Sequence, residues 1–288
     1  MTMTGVDIGV MLPSSPSPGE PAGKLAAAAQ HAEELGFESV WMGDQLIVGT
    51  GQPLLDSLTS LAAAAAVTER VKLGVGVLIL PLRQVVWVAK QVATVQHISG
   101  DRMLLGVGTG NERHRDSWAA AGVSQRDRGR LTDDALRLLP DLITGKPVRL
   151  GETQIQLSPP ATMPPVIVGG MSDAALRRAA SVGDGWYTLD SPEQLPETRA
   201  RLENLAAANG RPMPAVTTMA RVAIQGDPTL ADIPANQVGP AVIAGDPSAI
   251  KEYLTEMADK GVQRVVVMFA AGDWFRQAEL LAEVCRLR

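Results

Sequence analysis

The sequence predicts an α/β fold, a TIM-type (β/α)8 barrel with insertions at its C-terminal face. Three observations lead there. Short β-branched runs alternate with Ala/Leu-rich stretches of helical period, and the pair recurs eight times in 288 residues. Such alternation implies a parallel sheet with helices outside it, and eight units in a chain of this size imply closure. An open, doubly wound sheet is the structural alternative. No linker or low-complexity segment divides the chain, so residues 1–288 read as one domain.

Val6 to Leu12 is the first strand, and Gly23 to Leu35 the first helix, stopped by Gly36. Ser39 to Gly43 and the helix Leu55 to Thr68 form the second unit. Lys72 to Leu80 is a third strand, leading into the helix Val85 to Ile98. Arg102 to Val107 is the fourth, and Arg130 to Leu142 its helix. Pro165 to Val168 with Asp173 to Val182, then Gly185 to Leu189 with Pro192 to Ala208, make units five and six. Ala215 to Ile224 with Ser248 to Lys260, and Gln263 to Phe269 with Trp274 to Leu287, close the series. Two irregular stretches, Gly108 to Gly129 and Thr144 to Pro164, follow strand four, and a third, Gly226 to Gly245, follows strand seven. Loops this long in a compact domain are usually functional or mobile. Since a loop after a strand opens on the catalytic face of a barrel, all three are expected there.

Composition narrows the function. The chain is 45% hydrophobic and 20% charged, as soluble globular proteins are. A net charge of −5 argues against a nucleic-acid partner, which calls for a basic patch. The single cysteine, Cys285, has no internal disulfide partner. The first residues lack a basic region followed by an apolar core, and the small-residue run Leu61 to Val67 is far short of the ~20 residues of a membrane span. A cytoplasmic protein acting on a small molecule, with no membrane partner, is the expectation. Of three histidines, His31 and His97 sit in helices with no neighbour at ligand spacing, so no metal site is expected.

The strand ends carry the candidate chemistry. Strand two ends in Trp41-Met42-Gly43-Asp44-Gln45, where Asp44 either orients a ring or holds a proton, or serves as a loop carboxylate or helix cap. Strand three carries Gly74 and Gly76 in an apolar run, a pattern that marks a bulge or a ligand pressed on the backbone. Strand four ends in Gly106-Val107-Gly108-Thr109-Gly110-Asn111, where glycines permit close approach of a flat ligand. Asn111 stands where a dinucleotide fingerprint needs its third glycine. Strand five ends in Val168-Gly169-Gly170-Met171-Ser172-Asp173 before a helix: either free amides that hold a phosphate, or a tight turn capped by Ser172 or Asp173. His114 lies on the loop after strand four as a possible acid or base, between Arg113 and Arg115, which suit an anionic tail or simply face solvent. No nucleophile elbow or phosphate-binding P-loop occurs.

These segments resemble the luciferase-like oxidoreductases. The resemblance rests on Ala32-Glu33-Glu34-Leu35-Gly36-Phe37 with Gly43-Asp44, on Arg70-Val71-Lys72-Leu73-Gly74, and on Ser99-Gly100-Asp101-Arg102 with Gly106 to Gly110. Val166-Ile167-Val168-Gly169-Gly170, Ala174 to Ala180 and Gly183-Asp184-Gly185-Trp186 extend it over nearly the whole chain. It implies a TIM-type barrel binding either FMN or the deazaflavin coenzyme F420, and strand three with Gly108-Thr109-Gly110 leans toward the deazaflavin branch. There a bulge on the third strand, often with a non-prolyl cis peptide, supports the ring; by position it falls at Gly76-Val77. A homodimer is also implied, with the Ala-rich helix Leu58 to Val67 as a contact. Members close to the sugar-phosphate dehydrogenase carry a histidine after the strand-two aspartate and a glutamate after the glycine triplet, where this chain has Gln45 and Asn111.

The expected function is therefore hydride transfer between coenzyme F420 and a small organic substrate, with Asp44 and His114 as candidate catalytic residues. Asp44, Gly76, Val77, Gly108, Thr109, Gly110, Val168, Gly169, Gly170 and Met171 are the candidate cofactor contacts. An FMN-dependent monooxygenase and a barrel that binds cofactor without catalysis are the alternatives.

Overall fold

The computed structural model describes residues 5–14, 23–47, 54–111, 115–232 and 242–287. In chain order the first elements are β1 (Asp7–Met11), α1 (Gly23–Glu34), β2 (Ser39–Met42), α2 (Ser57–Ala66), β3 (Lys72–Val75), β4 (Leu78–Ile79) and α3 (Val85–Ser99). Next come β5 (Met103–Gly108), α4 (Arg115–Ala120), α5 (Arg128–Ile143), β6 (Val148–Leu150), β7 (Thr153–Ile155), β8 (Val166–Gly169) and α6 (Asp173–Val182). The last are β9 (Gly185–Thr188), α7 (Leu195–Ala208), β10 (Ala215–Ile224), β11 (Val242–Gly245), α8 (Pro247–Asp259), β12 (Arg264–Phe269) and α9 (Trp274–Cys285).

Parallel pairing runs β1–β2–β3–β5–β8–β9–β10–β12 and returns to β1, which closes the barrel; β4 continues the line of β3 against β5. The eight expected units are all present, and the open-sheet alternative falls with the β9–β10 and β12–β1 pairings. β11 stands outside the ring, paired parallel to the end of β10 from Arg221 to Ile224.

Closure buries the strands on both faces, which is why β2, β5 and β9 are buried at every position. Alternate residues then face helices or lumen. Val40, Met42 and Trp186 belong to the cluster shared with the helices, whereas Trp41, Leu104, Ile167, Tyr187 and Val266 pack together inside. The Trp41 indole is the plug. A Cβ on Gly9 or Gly74 would stand 2.6 Å or 2.3 Å from its ring atoms, so these glycines are the space the indole fills. Its N–H donates to Ser39 Oγ at 2.7 Å.

Helix ends are fixed by short polar side chains. Asp56 accepts from Thr59 N before α2, Asp246 from Ser248 N before α8, and Asp273 from Arg276 N before α9. At the N-terminal end of the barrel, Glu33 accepts the amides of Glu69, Arg70 and Val71, and Arg102 donates to the carbonyls of Ala65, Thr68 and Val71. Glu38 joins Arg264 and Lys72 there.

One expectation about the loops is corrected. Residues 144–164 follow α5, not a strand, so they return to the N-terminal end of the barrel. They carry the antiparallel pair β6–β7 and dock on the end of α3, where Gln96 donates to Thr162 O and His97 meets Pro160 O. The stretch 108–129 does follow a barrel strand and contains α4; the stretch 226–245 contains β11, and its residues 233–241 lie outside the described residues.

Candidate active site at the barrel mouth

The third barrel strand is interrupted where a bulge was expected. β3 ends at Val75, β4 resumes at Leu78, and the Gly76–Val77 peptide bond between them is cis. The Gly76 amide still donates to Met42 O at 2.8 Å, so the step stays anchored to β2. From this step the Val77 side chain reaches across two neighbouring strands. A Cβ on Gly108 would meet Val77 Cγ2 at 2.6 Å, and one on Gly169 would meet Val77 Cγ1 at 2.9 Å. The glycines ending β5 and β8 therefore receive Val77, and the surface they offer a ligand is that isopropyl ridge. Gly110 has φ +66°, a left-handed conformation that favours glycine, and a Cβ there would crowd Ile79 and Trp118.

Around this ridge lies a cavity of about 450 Å³. It is lined by Gly43, Asp44 and Gln45 after β2, by Gly76, Val77 and Ile79, by Gly108 to Asn111, and by Gly169 to Met171. Tyr187, Leu189 and Met219 complete it from β9 and β10. Of the expected cofactor contacts, the structure brings all but Val168 to this one cavity; Val168 is buried beneath it in the outer core. His114 lies outside the described residues. A second groove, about 590 Å³, runs between α1 and α9 on the outside, away from every strand end.

Asp44 is the most heavily engaged side chain at the mouth. It is 1% exposed and takes two hydrogen bonds from Arg83, 2.7 and 2.8 Å, so the pair is bidentate. Its Oδ2 also accepts the Ile79 amide at 2.7 Å, and its Oδ1 accepts Ser57 Oγ at 3.2 Å. Both oxygens are thus committed to protein, and the carboxylate fixes the segment after the Gly76–Val77 step. Arg83 reaches Asp56 as well, at 3.1 Å. Burial would lower the guanidinium pKa, but the two carboxylates hold it raised.

The turn after β8 differs from expectation in one respect. The Gly170 amide is spent on Tyr187 O at 3.1 Å, and Gly170 O accepts the Trp186 indole at 2.8 Å. It is therefore not free for a phosphate. The exposed first turn of α6 begins just beyond, with Ser172 capping Ala175 N. Ser172 is the cap, as one of the two expected candidates for that role.

Tyr187 is not among the site residues that the sequence predicts. Strand six, Gly185-Trp186-Tyr187-Thr188, alternates, so Trp186 points to the helices and Tyr187 into the lumen. A hydroxyl-bearing aromatic at a lumen position was the available clue. The side chain is 5% exposed, and its hydroxyl finds no hydrogen-bond partner among the described residues. Burial pushes its pKa far up. Burial likewise pushes the Cys285 thiol up to about 12, as suits a packed core thiol.

Comparison with known proteins agrees with this geometry. The profile of the luciferase-like monooxygenase family matches residues 3–253. An uncharacterised protein of Mycobacterium tuberculosis is 34% identical over 171 residues, 57% of this chain and 58% of that protein. An F420-dependent glucose-6-phosphate dehydrogenase of Nakamurella multipartita is 32% identical over 174 residues, 57% of this chain and 51% of its own length. The match thus spans little more than half of each of these two relatives. Among solved structures, a monooxygenase from Streptomyces bottropensis superposes with a TM-score of 0.80 at 19% identity, covering 98% of this chain and 97% of its own. An F420-dependent secondary alcohol dehydrogenase also gives 0.80, at 18% identity with 98% of both chains covered. At those identities the likeness is one of fold.

Proposed function

Because the chain belongs to the luciferase-like monooxygenase family, we propose that it is an oxidoreductase that moves hydride between coenzyme F420 and a small organic substrate at the barrel mouth. The observation that carries this reading is the Val77 ridge. An apolar side chain seated in the gaps left by Gly108 and Gly169 makes a flat floor suited to one face of a fused ring. Met171 and Leu189, 47% and 53% exposed, stand uncovered at the rim, as apolar side chains do where a ligand completes the surface. Among relatives, the F420-dependent dehydrogenase points the same way.

The residues present fit such a group. Val77 and Ile79 support a ring, and Gly108 and Gly110 make room for these two side chains in the cavity wall. The first-turn amides of α6 face an anionic tail, where the helix dipole favours negative charge. Asp44 and Arg83 keep the β4 segment in register, so the floor does not shift. When bound, a deazaflavin supplies the hydride chemistry itself; the protein supplies position and a dry wall.

The test assays the protein with reduced coenzyme F420 or reduced FMN against small ketones and enones, and with the oxidised cofactors against small alcohols, each with and without oxygen. Oxygen-independent turnover with the deazaflavin is the expected result. Turnover only with FMN and only in oxygen would overturn it in favour of a monooxygenase, and cofactor binding without turnover of any class would favour a non-catalytic barrel.

A further inference from the structure

Among the described residues, one side chain lining the mouth cavity carries a buried polar atom with no hydrogen-bond partner. A buried hydroxyl without a partner forgoes the hydrogen bonds water would give it, so native structures rarely keep one unless a ligand completes it. Tyr187 Oη is such a group, on a side chain 5% exposed that lines the mouth cavity. Its ring carbons Cε2 and Cζ come within 3.2 and 3.3 Å of the place a Cβ on Gly76 would occupy. The hydroxyl therefore sits beside the ring floor, at the inner end of the cavity.

Its position is at the border between the ring floor and the facing wall. In the ring of strands, β3 and β10 lie opposite each other, four places apart along the pairing order. A ring resting on Gly76 and Val77, with its tail toward Gly108 to Gly110 and α6, occupies the side built from β3, β5 and β8. That leaves the wall of β9 and β10, with Tyr187, Leu189 and Met219, for a second molecule. Apart from the hydroxyl, these three side chains offer carbon and sulfur only.

Resting on the reading above, we propose that Tyr187 is the polar anchor of the substrate. Its hydroxyl donates a hydrogen bond to the carbonyl or hydroxyl oxygen of an otherwise apolar molecule, a ketone or secondary alcohol, held against Met219 and Leu189. The contact is a hydrogen bond and not a proton transfer. A phenolate there would be opposed by burial. Tyr187 is thus a specificity residue: it selects an oxygen at one end of an apolar body.

Two probes, cyclohexanone and methylcyclohexane, test this by ligand-observed NMR on the full chain, comparing the parent with Tyr187→Phe. Removing an unpartnered buried hydroxyl leaves packing intact, so the variant should unfold at the same temperature as the parent or slightly higher. We expect cyclohexanone binding to weaken about tenfold and methylcyclohexane binding to change less than about twofold. Fluorescence titration with coenzyme F420 should differ less than about twofold between the two proteins. Equal losses for both probes, no loss for the ketone, or no measurable ketone binding by the parent would each overturn the proposal. So would a variant that loses cofactor affinity, because the hydroxyl would then belong to the cofactor. Failure of the parent to bind either F420 or FMN sinks the hydride reading instead, and the probe comparison still decides the anchor.

Discussion

Arg83 closes on Asp44 through two hydrogen bonds of 2.7 and 2.8 Å, and the same carboxylate holds the Ile79 amide at 2.7 Å. This pair is a brace for the strand that carries Val77. Asp44→Asn leaves a largely buried guanidinium with only Asp56 beside it, which costs about 3 kcal/mol for a broken buried pair. Thermal unfolding should fall by on the order of 10 °C for a chain of this length. A variant of unchanged stability but weaker cofactor binding would mean that Asp44 touches the ligand instead.

Gly108 and Val77 should be energetically coupled. A methyl on Gly108 stands 2.6 Å from Val77 Cγ2, so Gly108→Ala must displace the ridge, at about 1–3 kcal/mol for overpacking. Trimming the neighbour in Gly108→Ala/Val77→Ala should restore at least part of that loss. A double-mutant cycle in urea checks it, and strict additivity of the two changes would contradict the contact.

Acid should weaken the fold through Glu38. Burial raises its pKa, but hydrogen bonds and charge from Arg264, with Lys72 and Ser39 adding to them, outweigh that and lower it from 4.5 to about 2. A depressed native pKa means stability that is fully present above pH 4.5 and is lost as pH falls toward 2. The loss is about 3 kcal/mol over that window. Glu38→Gln should be less stable at pH 7 and show a flatter decline below pH 4.5. Parallel stability curves for the two proteins across this range would refute the assignment.

Assembly as a homodimer is a further proposal. The inner face of α2, with Leu58, Leu61, Ala64 and Ala65, is buried in the protein, while Thr59, Ala63 and Ala66 form an exposed stripe of small residues. Small side chains let a second helix approach closely. Light scattering at micromolar concentration should give twice the chain mass, and substitution of Ala63 by Arg should reduce it to one. A parent protein that is monomeric there contradicts the proposal.

The barrel was legible because strand and helix periods differ, and eight alternations left few arrangements. The Gly76–Val77 step was legible only through the family likeness, since glycine in an apolar run is compatible with several local shapes. Position in the chain misled where connectivity decides: residues 144–164 look like a mouth loop, yet a segment after a helix must return to the N-terminal end. Asp44 was found, but its occupation was not, because Arg83 lies 39 positions on and no period links them. Gly170 was expected to offer a free amide, but it spends that amide on Tyr187, a pairing between strands that no local pattern encodes. Among the described residues, no helix is long and apolar enough to cross a membrane.

The most direct test is a fluorescence titration of cofactor-free protein with coenzyme F420 and with FMN under identical conditions. Saturable binding of the deazaflavin at least about tenfold tighter than FMN is expected, with a matching loss for the deazaflavin in Gly108→Ala. Equal or tighter binding of FMN, unaffected by Gly108→Ala, would contradict it.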